Sequence, residues 1–584
     1  MRIGGIRTVE ASAAGLELRV AGALATLHHG GEAMILQDDL TSLAGVVEVP
    51  AKEQTFNERL VTMSLPGVGS EPDGSKSMQW LALRSGGYLV PPTGTPVAPP
   101  ALGPIVRLLA EHERGGKGTV GVDTLLPGGW RLTGGTTSLH DRARDLVKSS
   151  EEWALLADRD FANSAPYMGT KRTLLPFIMT AIEGLDPPPT AFIDLMCGSG
   201  VVAGAASRRW RTIAADSQEF CRMLAIVQGG GFTRARASTV LRRMREPMAA
   251  NLSMLRSKVG DLLLEEEALL SAAADWSVLA PRYAEFVSQT PSYPDGGSSH
   301  GWDPVAEVEY RRQSAGDRVM PFCLMTAYFA NIYFGLRQAV ELDCLRLGID
   351  ELGDPVERQW ALGALVAAAS AIATTYGGHF AQPPAPPERL VRPGVARRVL
   401  ARRHISATRE FEMRLLSLSA ESESIANSVE TVPGSWASAL KVAAAAVAPA
   451  DTLVYLDAPY RREEYSRYYH VLETLVSYGY PTAETKARLP RKGAERFSSE
   501  FFTRSRTAMS EALAESIRTI LTNGFRCAWS YADRADADAL EVLERVGDSV
   551  KSMRSVGADH EFKRQGKSRS PGRVKEYLFI LEPH

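Results

Sequence analysis

The chain is 584 residues long, 45% hydrophobic and 23% charged, with a formal net charge of −2. That length exceeds one ordinary domain and predicts three or four lobes, each able to bury a core. The near-neutral charge excludes a uniformly basic nucleic-acid binder, so any grip on phosphate has to come from local clusters.

Residues 1–90 alternate apolar and polar positions between glycine turns, as in 15–27 and 79–89, which predicts a β-rich N-terminal lobe. A Gly/Pro-rich connector over 85–104 leads into a small mixed module within 91–150, with an amphipathic helix at 101–114 and a hairpin-like stretch at 118–135. Helix–helix–hairpin units of this kind can bind DNA. The start, Met1 to Gly5, has no apolar core of the sort a secretory signal needs.

Residues 151–225 contain a buried strand, 191–194, that runs into the glycine turn Leu195-Met196-Cys197-Gly198-Ser199-Gly200 and then a helix. Gly198 and Gly200 permit close approach of backbone to a ligand, and the helix N-terminus follows. A second short strand, 211–215, closes on Asp216 and Ser217. An acid at the end of that strand can hydrogen-bond two ribose hydroxyls, as nucleotide-binding α/β sheets do. The turn lacks the third glycine of the dinucleotide fingerprint.

From 226 to 445 the chain reads as mostly helical, broken by loops at 290–301 and 381–388. This is far too long for a simple crossover between strands, so an inserted domain is required. Two of its stretches, 319–336 and 360–376, carry no charge and approach the length of a membrane span. The first holds Pro321, Thr326 and Asn331, and its helix is expected to continue through Arg337, Glu341, Asp343 and Arg346. Both are expected to be buried helices, with no membrane partner. Basic residues cluster at Arg234, Arg236, Arg242, Arg243 and Arg245, and again at Arg389, Arg392, Arg397, Arg398, Arg402 and Arg403. Such clusters are solvated helix faces or phosphate contacts.

Residues 446–584 hold the most informative motif. The apolar run Thr452–Leu456 ends in Asp457-Ala458-Pro459-Tyr460. An amine conjugated to a base is a poor nucleophile. A carboxylate beside a main-chain carbonyl can accept its two N–H groups and direct the lone pair outwards. Proline has no N–H to compete for those acceptors, and the tyrosine ring offers a stacking face for a base taken out of the duplex. The same residues also end ordinary strands as a turn. A basic loop with Lys563, Arg564 and Lys567 precedes a last strand at 577–581 and is placed to reach a phosphate backbone. The five cysteines, Cys197, Cys221, Cys323, Cys344 and Cys527, have neither CxxC pairing nor metal-ligand spacing with histidine. They read as reduced core thiols of a cytoplasmic protein without a bound metal.

Taken in order, four stretches resemble the Dam-like adenine-specific DNA methyltransferases that use S-adenosylmethionine. Tyr167-Met168-Gly169-Thr170-Lys171-Arg172 resembles the opening motif that lies against the cofactor. Asp194 to Gly200 is similar to the cofactor loop, Asp216 to the ribose-binding acid, and Asp457 to Tyr460 with the helix through Thr474 to the catalytic region. The order is similar to the family's α-type arrangement. It implies a Rossmann-like class I methyltransferase sheet, an α/β fold, with the helical insertion as target-recognition region and an N-terminal extension outside the resemblance.

The implied cofactor site comprises Tyr167, Met168, Gly169, Lys171, Asp194, Met196, Cys197, Gly198, Gly200, Asp216, Ser217 and Asp457. Lys171 is expected to hold Asp457 ionised, with Tyr460 stacking the base. The implied partner is double-stranded DNA. The family usually has proline where this chain has Ala458, and the acid often found on the strand before the catalytic one is replaced by Gly434-Ser435-Trp436. The expected activity is transfer of a methyl group to the N6 amine of adenine, as the modification component of a restriction or phage-defence system whose nuclease is a separate chain. Two further readings stay open: a catalytically weakened recognition subunit, and methylation of cytosine or of adenine in RNA.

Overall fold

The structure is a computed structural model. It describes Trp153, Tyr167 and residues 169–584, apart from 186, 273–274, 291, 297–301, 315–317, 376–377, 384–385, 460–463, 485–486, 494, 533–534 and 563–571, together with short strands within the first 133 residues. Those strands include an antiparallel set, Ile6–Ser12, Gly15–Val20 and Thr41–Ala44. Arg131–Thr133 pairs with both Tyr88–Val90 and Thr124–Leu125. The helix expected at 101–114 lies outside the described residues.

The chain is an α/β protein built on a mixed seven-stranded sheet. In chain order the strands are β1 Ala191–Asp194, β2 Arg211–Asp216, β3 Val429–Pro433, β4 Thr452–Leu456, β5 Arg526–Ala532, β6 Val550–Phe562 and β7 Gly572–Pro583. Their spatial order is β3-β2-β1-β4-β5-β7-β6. The first five are mutually parallel, while β7 runs antiparallel to both β5 and β6. Parallel strands covered on both faces need continuous apolar side chains. β4 (Thr-Leu-Val-Tyr-Leu) and β5 (Arg-Cys-Ala-Trp-Ser-Tyr-Ala) are accordingly buried at every position.

Two apolar layers cover the sheet. On one face Phe192, Leu453 and Tyr455 pack with Leu175, Phe177 and Ile178 of the helix Leu175–Glu183 and with Val201, Val202 and Ala205 of the helix Val201–Ala206. On the other, Ile193, Val454 and Leu456 pack with Leu513, Ile517 and Ile520 of the helix Arg506–Thr522.

A helical domain is inserted between β2 and β3. It follows α1 (Glu219–Ile226) and includes α2 (Arg234–Ser271), α3 (Leu324–Phe329), α4 (Leu336–Asp350), α5 (Pro355–Ile372), α6 (Pro393–Arg403) and α7 (Ala407–Ser422). Local chemistry starts these helices: Thr233 and Asp354 cap α2 and α5 with side-chain oxygens, and Pro355 occupies the first turn of α5. α5 packs closely on α1, where a Cβ at Gly363 would come within 2.4 Å of the Met223 carbonyl oxygen. The insertion therefore grips the sheet domain through backbone contact.

Two expectations need correction. The insertion ends before Val429 rather than at 445, because β3 and the helix Trp436–Ala444 belong to the sheet layer. The helix expected to run from 319–336 through Arg346 is two helices: α3 stops at Phe329, Asn331 turns with φ of 60°, and α4 begins at Leu336. The strand expected at 577–581 lies within β7, the last in sequence, which sits between β5 and β6. Among the described residues no helix is long and apolar enough to cross a membrane.

Candidate active site

Register brings the three acids together. Asp194 ends β1, opposite Ala214 of β2 and Tyr455 of β4. Asp216 and Asp457 each lie two residues beyond those partners, so the three carboxylates stand side by side at the C-terminal edge of adjacent strands. That edge, where the strand order reverses between β1 and β4, is where open α/β sheets bind ligands.

The glycine turn after β1 is held by backbone bonds. Cys197 N–H donates to the Ala215 carbonyl at 2.9 Å, and Gly200 N–H to the Cys197 carbonyl at 2.7 Å. Gly198 and Gly200 adopt φ of 48° and 77°, which favour glycine. A Cβ at Gly200 would lie 2.5 Å from Ala225 Cα, and one at Gly198 would lie 2.9 Å from the Tyr167 ring. That ring stacks on Tyr469 at 4.7 Å and on Tyr465 at 5.7 Å, with Phe220 tilted beside it at 6.4 Å. The stretch from Tyr167, the glycine turn and the helical segment that follows Asp457 thus meet at one aromatic cluster.

Asp216 clamps this turn. Its Oδ2 accepts from Gly198 N–H at 3.1 Å and its Oδ1 from Gln218 N–H at 2.9 Å. The Cys221 thiol is a third donor to it, and since a carboxylate has about four acceptor positions, some capacity is left for a ligand. Arg222 donates to the Asp216 carbonyl at 2.7 Å. Ser217 donates to the carbonyl of Gly434 at 3.1 Å, the first residue of the Gly434-Ser435-Trp436 stretch.

Lys171 Nζ lies 2.9 Å from Asp457 Oδ1, with the lysine only 4% exposed. Burial pushes the Asp457 carboxyl up, and Lys171 opposes this by charge and hydrogen bond. Asp194 is 1% exposed. Its Oδ2 accepts from Ala203 N–H at 3.1 Å, while its Oδ1 has no hydrogen-bond partner among the described residues. Burial, then repulsion from Asp457 and Asp216, pushes this carboxyl well above the usual range. Asp216 is raised too, by burial against its two N–H donors. Three carboxylates gathered beside Lys171 and Arg222 form an acidic cluster, an arrangement suited to a positively charged ligand.

The remaining expected residues fall as follows. Gly169 is exposed, and a Cβ there would approach Tyr465 Oη at 3.3 Å. Met196 is partly buried against the sheet core, and Cys197 is buried beside Asp216, with its thiol pushed up by burial. Ala458 is buried and Pro459 half-buried. Met168, Tyr460, Lys563, Arg564 and Lys567 lie outside the described residues.

The basic clusters divide. Arg242, Arg397 and Arg398 are exposed. Arg243 pairs with Glu357 at 2.8 Å, and Arg402 donates to the Ala371 carbonyl at 2.5 Å, both keeping an exposed face. Arg403 does not fit a phosphate contact: it is 2% exposed and lies beside Gln338, Glu266 and Tyr283 in the insertion's core.

Residue-level reading of the sequence missed Thr170, Glu473 and Gln228. The Thr170 and Ser199 hydroxyls lie 3.2 Å apart, tying the opening motif to the glycine turn. Gln228 donates to the Ser199 carbonyl. Glu473 accepts from the N–H groups of Glu219 and Phe220. These contacts join distant segments, and no local pattern announces them. No protein-family model, curated protein or solved structure matches the chain.

Proposed function

We propose that this chain is an S-adenosylmethionine-dependent methyltransferase acting on the exocyclic N6 amine of adenine in DNA, on a Rossmann-like class I sheet. The observation that carries the reading is the pairing of buried Lys171 with half-buried Asp457, set at the strand-order reversal beside a glycine turn clamped by Asp216. The parallel order 3-2-1-4-5 is that of nucleotide-binding doubly wound sheets, here completed by an antiparallel hairpin instead of a sixth parallel strand.

The residues present fit the cofactor. Asp194 Oδ1, buried and without a hydrogen-bond partner among the described residues, suits an ammonium group, and the remaining acceptor capacity of Asp216 suits a ribose hydroxyl. The three carboxylates offset the positive charge of a sulfonium. When bound, S-adenosylmethionine supplies a methyl group already activated for transfer, so neither a metal nor a covalent enzyme intermediate is needed.

The chain's own part is orientation. Asp457 and the Ala458 carbonyl accept the two amine N–H groups, drawing the nitrogen towards a tetrahedral geometry with its lone pair free. An alanine provides that carbonyl as a proline would. Lys171 favours the ionised, accepting form of Asp457 against the upward push of burial. Exposed Arg397, Arg398 and Arg242 on the insertion are the candidates for phosphate contact.

The test is incubation of the protein with methyl-labelled cofactor and unmethylated DNA, followed by nucleoside analysis. Labelled N6-methyladenine is expected, and Asp457→Ala should lower its formation on the order of 1,000-fold through loss of the oriented acceptor. Label in cytosine or in RNA would reassign the substrate. Binding of cofactor and DNA with no transfer at all would reduce the chain to a recognition subunit.

A further inference from the structure

Glu473 links the two halves of the site. It lies on α8 (His470–Ser477), which follows the catalytic motif. Its Oε1 accepts from Glu219 N–H and its Oε2 from Phe220 N–H, each at 3.1 Å, although these residues are more than 250 positions away in sequence. They open α1, whose free N–H groups call for acceptors and whose dipole favours a carboxylate.

Stability alone would be served by a local cap. The residue at that position is Gln218, which makes no side-chain capping bond. Its own N–H is taken by Asp216, so three successive N–H groups, of Gln218, Glu219 and Phe220, go to two carboxylates, one from each half of the site. Asp216 in turn holds the glycine turn through Gly198. The circuit closes through aromatic rings, since Tyr469, immediately before α8, stacks on Tyr167, which covers Gly198. Phe220 lies 5.6 Å from Tyr469 in the same cluster. These contacts tie the glycine turn and Asp216 to α8.

We infer that Glu473 is a positioning residue that couples filling of the cofactor pocket to the geometry of the catalytic loop, so that cofactor and target DNA bind cooperatively. The inference rests on the methyltransferase reading. Coupling of this kind is reciprocal: whatever factor the cofactor adds to DNA affinity, DNA adds to cofactor affinity.

The experiment measures retention of sheared unmethylated DNA with and without saturating S-adenosylhomocysteine, the non-reactive product. In the wild type the ligand is expected to tighten DNA binding roughly tenfold, within the usual range of such couplings. In Glu473→Gln, which accepts at only one oxygen, the factor should fall to within about twofold while each ligand alone still binds. A second variant, Glu473→Gln with Gln218→Ser, restores a local cap to α1. It should recover thermal stability but not the coupling.

Undiminished coupling in Glu473→Gln, or its return in the double variant, would reduce Glu473 to a helix cap. A wild type that binds both ligands independently would overturn this inference and leave the methyltransferase reading standing. A wild type that binds no cofactor would remove both.

Discussion

The insertion and the sheet edge both bury carboxylates, and they treat them in opposite ways. In the insertion, Asp343 is fully buried and accepts from Met325 N–H, Thr326 N–H, the Thr326 hydroxyl and the Tyr478 hydroxyl, at 2.5–2.8 Å. Glu266 caps α4 through Leu336 and Arg337 N–H, with Arg403 beside it. At the sheet edge, Asp194 keeps one oxygen without a hydrogen-bond partner among the described residues; burial and its two neighbours raise it, and burial raises Asp216 and Asp457. A buried acid surrounded by donors is part of the fold. One left short of donors, beside two others, stores an interaction for something outside the chain.

The first way to press that comparison is to remove the cation at the edge. Lys171→Met should lower methyl transfer on the order of 100-fold, because Asp457 loses its charge partner in a buried setting. Lys171 opposes the upward push of burial on Asp457, so its removal raises that carboxyl further. The acid limb of the pH–rate profile should then move to higher pH; an unshifted limb would mean that Asp457 needs no help to ionise.

The same operation in the insertion should act on stability instead. Asp343→Asn replaces one oxygen by an NH2 group that faces two of these four donors, and it is expected to cost about 3 kcal/mol, read by denaturant unfolding. The Asp343 carboxyl is raised from 3.8 to about 6 by burial. The native state therefore holds a proton that the unfolded chain releases across this interval, so the contribution is fully present below 3.8 and declines as pH rises to about 6. That part of the pH dependence should vanish in the variant.

A smaller effect separates the arginines of α6. Arg397→Ala with Arg398→Ala should leave folding unchanged and lower the slope of log DNA affinity against log salt by about 2, near one per phosphate contact. Arg403→Ala, from the buried position on the same helix, should lower stability instead. A salt slope that responds to Arg403 and not to the exposed pair would reverse the assignment.

What was legible in the sequence is what is written locally. Asp457 ends a five-residue apolar run, Asp216 ends a short strand, and Gly198 and Gly200 sit in a turn whose left-handed φ angles favour glycine, so each could be found without the fold. The pairing of Lys171 with Asp457 was expected only from the family resemblance. β3 was overlooked because Val-Glu-Thr-Val-Pro is a short edge strand with mixed burial and no apolar run. The break between α3 and α4 was overlooked because the apolar sequence runs across it, with only Asn331 and Gly335 to mark the turn. Glu473 had no local signal, since its meaning depends on N–H groups brought to it by the topology.

The most direct test of the contrast between the two regions is equilibrium binding of labelled S-adenosylmethionine to Asp194→Asn and Asp343→Asn, each measured on folded protein beside the wild type. Asp194→Asn keeps an oxygen for Ala203 N–H and removes a repelled buried charge, so it should fold at least as well as the wild type and bind cofactor about tenfold or more weakly. Asp343→Asn should be less stable and bind with unchanged affinity. Unaltered binding in Asp194→Asn, or loss of binding confined to Asp343→Asn, would contradict the account.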